Sequence, residues 1–354
     1  MNLKLTMACT LTDRVRAVLE RQVDTPGVEI LAHVGEPEDI FKLAMREARF
    51  DITEMSMSSH ILTTARGDSN YVGVPVFPSR SFRHSSIFVN SDSGISRPEQ
   101  LIGKRIGLPE YQQTAAMWAR GILAEQHGVT PADVNWVMGG QESPGMSERT
   151  ALQLPKHISL EQIGPEQTLN GMLVSGEIDA LITPRAPSSF IANSPAVRRL
   201  FQDYRSAEVA YFQKNGFFPI MHCLAIRKSV SDAHPWLATT LFEAFCASKA
   251  LAMANLRHTN FARTALPWLS AHYEETVRLM GQNIWSYGLD QNADELEAMT
   301  RYAYLDGQTT HKVEARSLFH PSTHSLADDP KNGIEQTAPG GVANLPYVIG
   351  LDVQ

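Results

Sequence analysis

Cysteine is scarce in this chain: Cys9, Cys223 and Cys246 are the only three among 354 residues. They are odd in number and far apart, and none belongs to a C-x-x-C or zinc-type spacing. Neither a disulfide framework nor a structural metal site is expected. All three lie in apolar segments, which fits buried free thiols in a reducing compartment. No run of about 18 apolar residues is present, so no membrane span is expected. The start, MNLKLTMACTLTDRV, has no long apolar stretch and does not read as a signal peptide. These absences together predict a cytoplasmic protein. There is no basic run and the net charge is −7, which argues against nucleic acid as a partner. P-loop, G-x-G-x-x-G, G-x-S-x-G and H-E-x-x-H patterns are all missing. Nothing therefore calls for a nucleotide, a flavin, a metal or a covalent nucleophile, and no cofactor is expected.

What is present is the composition of a globular protein, 43% hydrophobic and 19% charged. The chain is too long for one ordinary core, so two lobes are expected. Strand patterns at 2–8, 28–33, 50–54 and 71–77 alternate with helix patterns at 12–21, 37–48 and 57–65. This rhythm predicts an α/β fold with mostly parallel sheets and helices on both faces. It restarts after Arg97, with strands at 104–108 and VNWVM, and helices that stop at Gly128 and Gly176. A long apolar strand, GFFPIMHCLAIRKS, then leads back to helices near 235–254, 273–287 and 292–305. The expected division is lobe I at 1–97 plus 211–320, lobe II at 98–210, and a C-terminal arm at 321–354. Chain crossings near 84–98 and 205–222 would form a hinge. Ligands of open α/β sheets lie beyond the carboxyl ends of the strands, which here means a central cleft between the lobes.

Several polar groups should reach that cleft. Glu54 and Ser56 follow the third strand. Ser56 is placed to cap the next helix and aim backbone N–H groups at an anion. Glu54 could act as an acid or base, or else pair with an arginine. Arg80, Arg83 and His84 fall within five residues, in SRSFRHSS. Arginine's planar fork matches a carboxylate, so this cluster suits a ligand with two of them. Gln112 and Thr114 open a helix whose start offers unpaired N–H groups. Arg185, in LITPRAP, would face the cleft from lobe II, with a salt bridge to Glu177 or Asp179 as the alternative. His222, in FPIMHCLAI, is either a core histidine or a cleft group beside the hinge. Thr10 and Thr12 read as helix caps, Trp118 as core and Arg120 as a surface charge.

Taken together, RSFRHSSIFVN, PEYQQTAAMWARGIL, GEIDALITPRAP and FPIMHCLAIRKS resemble 4,5-dihydroxyphthalate decarboxylases, a family within the type II periplasmic-binding-protein fold group. The resemblance covers residues 1 to about 315. It implies a cofactor-independent decarboxylation of a small aromatic dicarboxylate. It assigns Arg80, Arg83 and Arg185, with Ser56, Gln112 and Thr114, to substrate binding. His84, His222 and Glu54 would move protons, with His84 the first choice. The competing reading is a non-catalytic solute-binding protein that serves a transporter. Homo-oligomerisation is left open.

Overall fold

A computed structural model describes residues 2–146, 148–261 and 263–329 of the chain. The elements run β1 (Leu3–Cys9), α1 (Asp13–Leu19), β2 (Val28–Val34), α2 (Pro37–Glu47), β3 (Ile52–Ser56), α3 (Met57–Arg66) and β4 (Tyr71–Arg80). Then come β5 (Ile87–Asn90), β6 (Arg105–Leu108), α4 (Thr114–His127), β7 (Asn135–Met138), β8 (Ser159–Gln162), α5 (Leu169–Ser175), β9 (Ala180–Ile182), α6 (Ser188–Ile191), β10 (Val197–Arg199) and α7 (Tyr204–Asn215). The chain closes with β11 (Ile220–Arg227), α8 (Lys228–Ala233), α9 (Leu237–Arg257), α10 (Leu269–Met280) and α11 (Ala293–Leu305).

Two sheets form, in the orders β2-β1-β3-β11-β4 and β10-β5-β9-β6-β7-β8. Among the described residues, five strand pairings are parallel and four antiparallel. The antiparallel pairings come from the strands next to the crossings, because a chain that returns to its own sheet runs against its neighbours. The passage from first to second sheet falls between Arg80 and Ile87, and the return between Arg199 and Ile220. Residues 87–90 thus sit in the second sheet, where β5 pairs with β9 and β10, rather than in lobe I as the sequence suggested. That short strand was hidden because its apolar run, IFVN, has no period of its own.

Helix boundaries follow local chemistry. Gly67, Gly128, Gly176 and Gly216 end α3, α4, α5 and α7 in the left-handed region that an L side chain resists. Helix α10 lies at 269–280 rather than 273–287, since Gly281, at φ +85, stops it.

Each sheet has its own core. The first joins β1, β3, β4 and β11 to α9 and α11, through residues such as Ile52, Leu224, Phe245 and Met299. The second sheet is covered on its two faces by the clusters around Trp136 and around Leu169. Helix α4 serves both lobes: Met117 and Trp118 belong to the first core, Ala119 and Leu123 to the second. Trp118 is core, as expected, and its Nε1 donates to the Ile220 carbonyl at 2.8 Å. Arg120 is not a surface charge. It is buried, pairs with Asp306 at 2.6 Å and stacks on Tyr111 at 3.9 Å. On the other side Gly121 lets Tyr302 of α11 close in, since a Cβ there would meet the ring at 2.5 Å. Burying Arg120 without its carboxylate would be costly, so the α4–α11 contact is specific as well as tight.

Helix α9 is long and apolar enough to cross a membrane by length and composition, yet half of that window is buried in the protein. Its Lys249 is held by an ion pair with Asp328, which also accepts from the Tyr287 N–H at 3.0 Å. The first residues of the expected C-terminal arm are therefore docked on lobe I. Residues 330–354 of that arm lie outside the described part of the chain.

Candidate active site

In the first sheet β1 and β3 run parallel, and β11 runs against β3. The carboxyl ends of β1 and β3 therefore lie beside the start of β11. Thr10, Glu54 and His222 meet there. Glu54 and Leu224 are register partners, so Glu54 and His222 point to the same face, one step apart on the diagonal. His222 Nδ1 lies 2.6 Å from Glu54 Oε1. Glu54 Oε2 accepts from the Thr10 N–H at 2.8 Å and from the Thr10 hydroxyl at 2.6 Å. Thr10 is thus a positioning group for the carboxylate and not a helix cap. Thr12, at the N-cap of α1, makes no side-chain cap bond either.

Burial of Glu54 opposes its ionisation. The hydrogen bond and charge of His222, with the two Thr10 donors, outweigh that and hold the carboxyl below its ordinary value. Glu54 is therefore an anion that holds the imidazole of His222 through Nδ1 and leaves Nε2 as the outer ring nitrogen. No described residue hydrogen-bonds that Nε2. The imidazole stands edge-on to Phe41, with ring centres 4.8 Å apart, and keeps 16% of its side-chain surface exposed. Cys9 and Cys223 lie close by, but burial and the Glu54 charge push both thiols up, so neither is a thiolate nucleophile.

The start of helix α4 packs against the junction of β3 and α3. Thr114 Oγ1 meets the hydroxyls of Ser56 at 2.9 Å and Ser58 at 3.0 Å, and accepts from the Ser58 N–H at 3.1 Å. Ser59 donates to Gln112 Oε1 at 3.2 Å. Ser56 makes no side-chain cap of α3, contrary to expectation, because Thr114 takes its hydroxyl instead. Before α4, Glu110 is clamped by Arg149, whose Nε lies 3.0 Å from both carboxylate oxygens. Arg149 in turn lies over Phe41, 5.4 Å from the ring centre, which ties this loop to the His222 pocket.

The arginine cluster divides. Arg80 does not offer its fork to a ligand. It is consumed by Glu295 at 3.0 Å, Asn292 at 2.5 Å and the carbonyls of Phe218 and Ser286. Arg83 is also buried, with 8% exposure, but has no ion pair among the described residues. Its Nε reaches only Met221 Sδ at 3.2 Å. Burial brings the guanidinium down to about 10, opposed by Glu208, so it stays charged at neutral pH. His84 does not reach the site. It is enclosed edge-on by Phe201 and Tyr211, at 5.2 and 5.4 Å. Burial and then the nearby His127 pull it down to about 4, which makes it neutral and aromatic-like. Arg185 is exposed over 61% of its side chain and pairs with Glu36 and Glu38 at the start of α2, at 3.1 and 2.8 Å, rather than with Glu177 or Asp179. It links the end of β9 in the second sheet to the start of α2 beside the first. Among the described residues, no group of three or more His, Cys, Asp or Glu side chains is arranged to hold a metal ion.

Residues 10–153, which include Thr10, Glu54 and the Glu110–Thr114 turn, match the family described as "ABC transporter, phosphonate, periplasmic substrate-binding protein". The fold is similar to that of the periplasmic aliphatic sulphonate binding protein SsuA from Escherichia coli, at 12% identity and TM-score 0.51 over 92% of this chain and 100% of that one. A periplasmic sulfonate-binding protein SsuA from Methylobacillus flagellatus KT gives 12% identity and TM-score 0.53, over 95% of this chain and 94% of that one. At such identity these likenesses show the fold alone: a two-sheet periplasmic-binding-protein fold. The 4,5-dihydroxyphthalate decarboxylase of Comamonas testosteroni is 41% identical over 321 residues, covering 91% of this chain and 97% of that protein. The chain belongs to the 4,5-dihydroxyphthalate decarboxylase family. A second protein of that name, from Pseudomonas putida, is 44% identical over 211 residues, which is 60% of this chain and 82% of the relative.

Within this decarboxylase family member, the sequence reading passed over Phe41, Glu148 and Arg149. The last two stand in GGQESPGMSERT, a Gly- and Pro-containing stretch just after the strand VNWVM. Its position beyond the carboxyl end of a second-lobe strand was the available signal.

Proposed function

We propose that this protein carries out the reaction for which its relatives are named, converting 4,5-dihydroxyphthalate to protocatechuate and CO₂. The observation that carries the reading is the Glu54–His222 pair, a buried anion bonded to a partly exposed imidazole at 2.6 Å. In the substrate each carboxylate has a hydroxyl para to it. His222 Nε2 takes the proton of one such hydroxyl, and Glu54 stabilises the imidazolium that forms. The electron pair released on oxygen moves through the ring to the para carbon that carries the carboxylate. That carbon takes a proton supplied from solvent, its bond to the carboxylate breaks, and CO₂ leaves with the bonding pair returned to the ring. The phenolate regains a proton from the imidazolium. Overall one proton is taken up for each CO₂ released, and no electrons are gained or lost. Arg83, charged and in no direct ion pair among the described residues, with Glu208 as the nearby opposite charge, is the strongest candidate to neutralise substrate charge.

The test is to incubate the purified protein with 4,5-dihydroxyphthalate and follow CO₂ and protocatechuate. Stoichiometric formation of both supports the reading. Tight binding without CO₂ would instead match the solute-binding proteins that share the fold, and would overturn it. In keeping with the sequence expectation, we place the enzyme in the cytoplasm as part of aromatic-acid breakdown.

A further inference from the structure

Glu148 lies on the loop between β7 and β8, and its carboxylate rests on the turn that leads into α4. Its Oε1 accepts from the backbone N–H of Tyr111 at 2.5 Å and of Gln112 at 3.4 Å. Its Oε2 is buried with no hydrogen-bond partner among the described residues. Three buried donors attached to the same turn also lack acceptors: Gln112 Nε2, Arg149 Nη1, and Nη1 of Arg120, which bonds the Tyr111 carbonyl through Nη2 and whose charge partly opposes the rise of the Glu148 carboxyl. Gln112 is fully buried, and the Arg149 side chain is 8% exposed. Arg149 uses its other nitrogens on Glu110, the residue before Tyr111. An acceptor without a donor and donors without acceptors on groups held to one turn are a poorly solved arrangement, because each unmade bond carries a desolvation cost. Burial and then the charge of Glu110 push the Glu148 carboxyl up to about 7, which is the same mismatch seen from the proton's side.

We propose that this turn is a carboxylate seat of the substrate site, and that Glu148 fills it until an aromatic carboxylate displaces it. This rests on the decarboxylase reading and adds a subsite to it. A planar carboxylate there takes the N–H groups of Tyr111 and Gln112, Gln112 Nε2 and Arg149 Nη1. The released Glu148 regains water, and Arg149 is left to balance the ligand and Glu110. The seat suits the carboxylate that stays on the ring. A leaving carboxylate is served by poorer solvation, since it must give up its charge.

The probe is phthalate, which has both carboxylates but no hydroxyl to react. Titration calorimetry at pH 8 compares wild type, Glu148→Ala, Glu148→Gln and Gln112→Leu. The two Glu148 variants are expected to bind phthalate about five- to tenfold tighter, and Gln112→Leu at least tenfold weaker. At pH 6 the gap between wild type and Glu148→Gln should shrink, as protonation frees the seat. Unchanged or weaker binding in both Glu148 variants overturns the seat, and so does the absence of phthalate binding in every form. CO₂ release measured on the wild type separates the two claims. Turnover with no tightening sinks the seat alone, whereas tightening with no turnover sinks the decarboxylase reading and leaves the seat standing.

Discussion

His222 and Glu54 are 168 residues apart in the sequence and 2.6 Å apart in the fold, joined across the antiparallel pairing of β11 with β3. On this ground we propose His222 as the proton-transfer residue ahead of His84, the first choice from the sequence. His222→Asn is expected to lower turnover by about 10²–10⁴-fold, the usual contribution of a general acid–base group. Glu54→Gln should act in the same range, because it removes the anion that holds the imidazole. Phthalate affinity should change less than about fivefold in His222→Asn. Turnover near wild type in both variants would remove the pair from the mechanism.

His84→Phe offers the contrast. The ring replaces an imidazole held between Phe201 and Tyr211, so turnover should stay within a few-fold of wild type. A loss above about 100-fold with a native fold would return His84 to the chemistry.

The same residue predicts a pH effect on stability. His84 and His60 are both pulled down to about 4 by burial. Unfolded histidine takes up its proton near pH 6.5. Between those values the unfolded chain binds more protons, so stability falls as pH is lowered from about 6.5 to about 4. Glu54 adds to the loss further down. Its depressed carboxyl contributes stability above the unfolded value, which disappears as pH falls through the folded one. Melting curves from pH 7.5 to 4 should show this decline, with a shallower slope in His84→Phe. Equal slopes in the two proteins would contradict the assignment.

Arg80 is expected to matter for stability rather than binding. It and Glu295 form a buried pair at 3.0 Å, and removing one partner strands the other. Arg80→Ala should cost about 3–5 kcal/mol in urea unfolding, and adding Glu295→Ala should cost much less than the sum of the single changes. Additive losses would show that the two side chains are not coupled.

Arg83 and Arg185 should separate in calorimetry. Arg83→Ala is expected to weaken phthalate binding at least tenfold, since a charge-assisted bond is worth about 1.5–3 kcal/mol. Arg185 pairs with Glu36 and Glu38 in solvent, where such bridges contribute about 0–1 kcal/mol. Arg185→Ala should therefore change affinity less than about fivefold. Similar losses in both would restore Arg185 to the binding set.

Much of the fold was legible in the chain because it rests on local rules. The alternation of strand and helix through residue 80, the glycine stops at Gly128 and Gly176, and the apolar run of β11 each declare themselves over a few residues. Glu54 and Ser56 were expected just after the third strand, yet both lie inside β3, which runs two residues further than the pattern at 50–54 suggested. What the sequence could not decide was partnership. Arg80, Arg83 and Arg185 are the same residue type, yet one is spent on Glu295, one makes no direct ion pair among the described residues, and one ties α2 to the other lobe. Likewise His84 and His222 both stand in apolar segments near the crossings, and only the register of β11 on β3 brings one of them to a carboxylate. A charge's role depends on its solvation and its neighbours, and those are set by contacts between residues far apart in the chain.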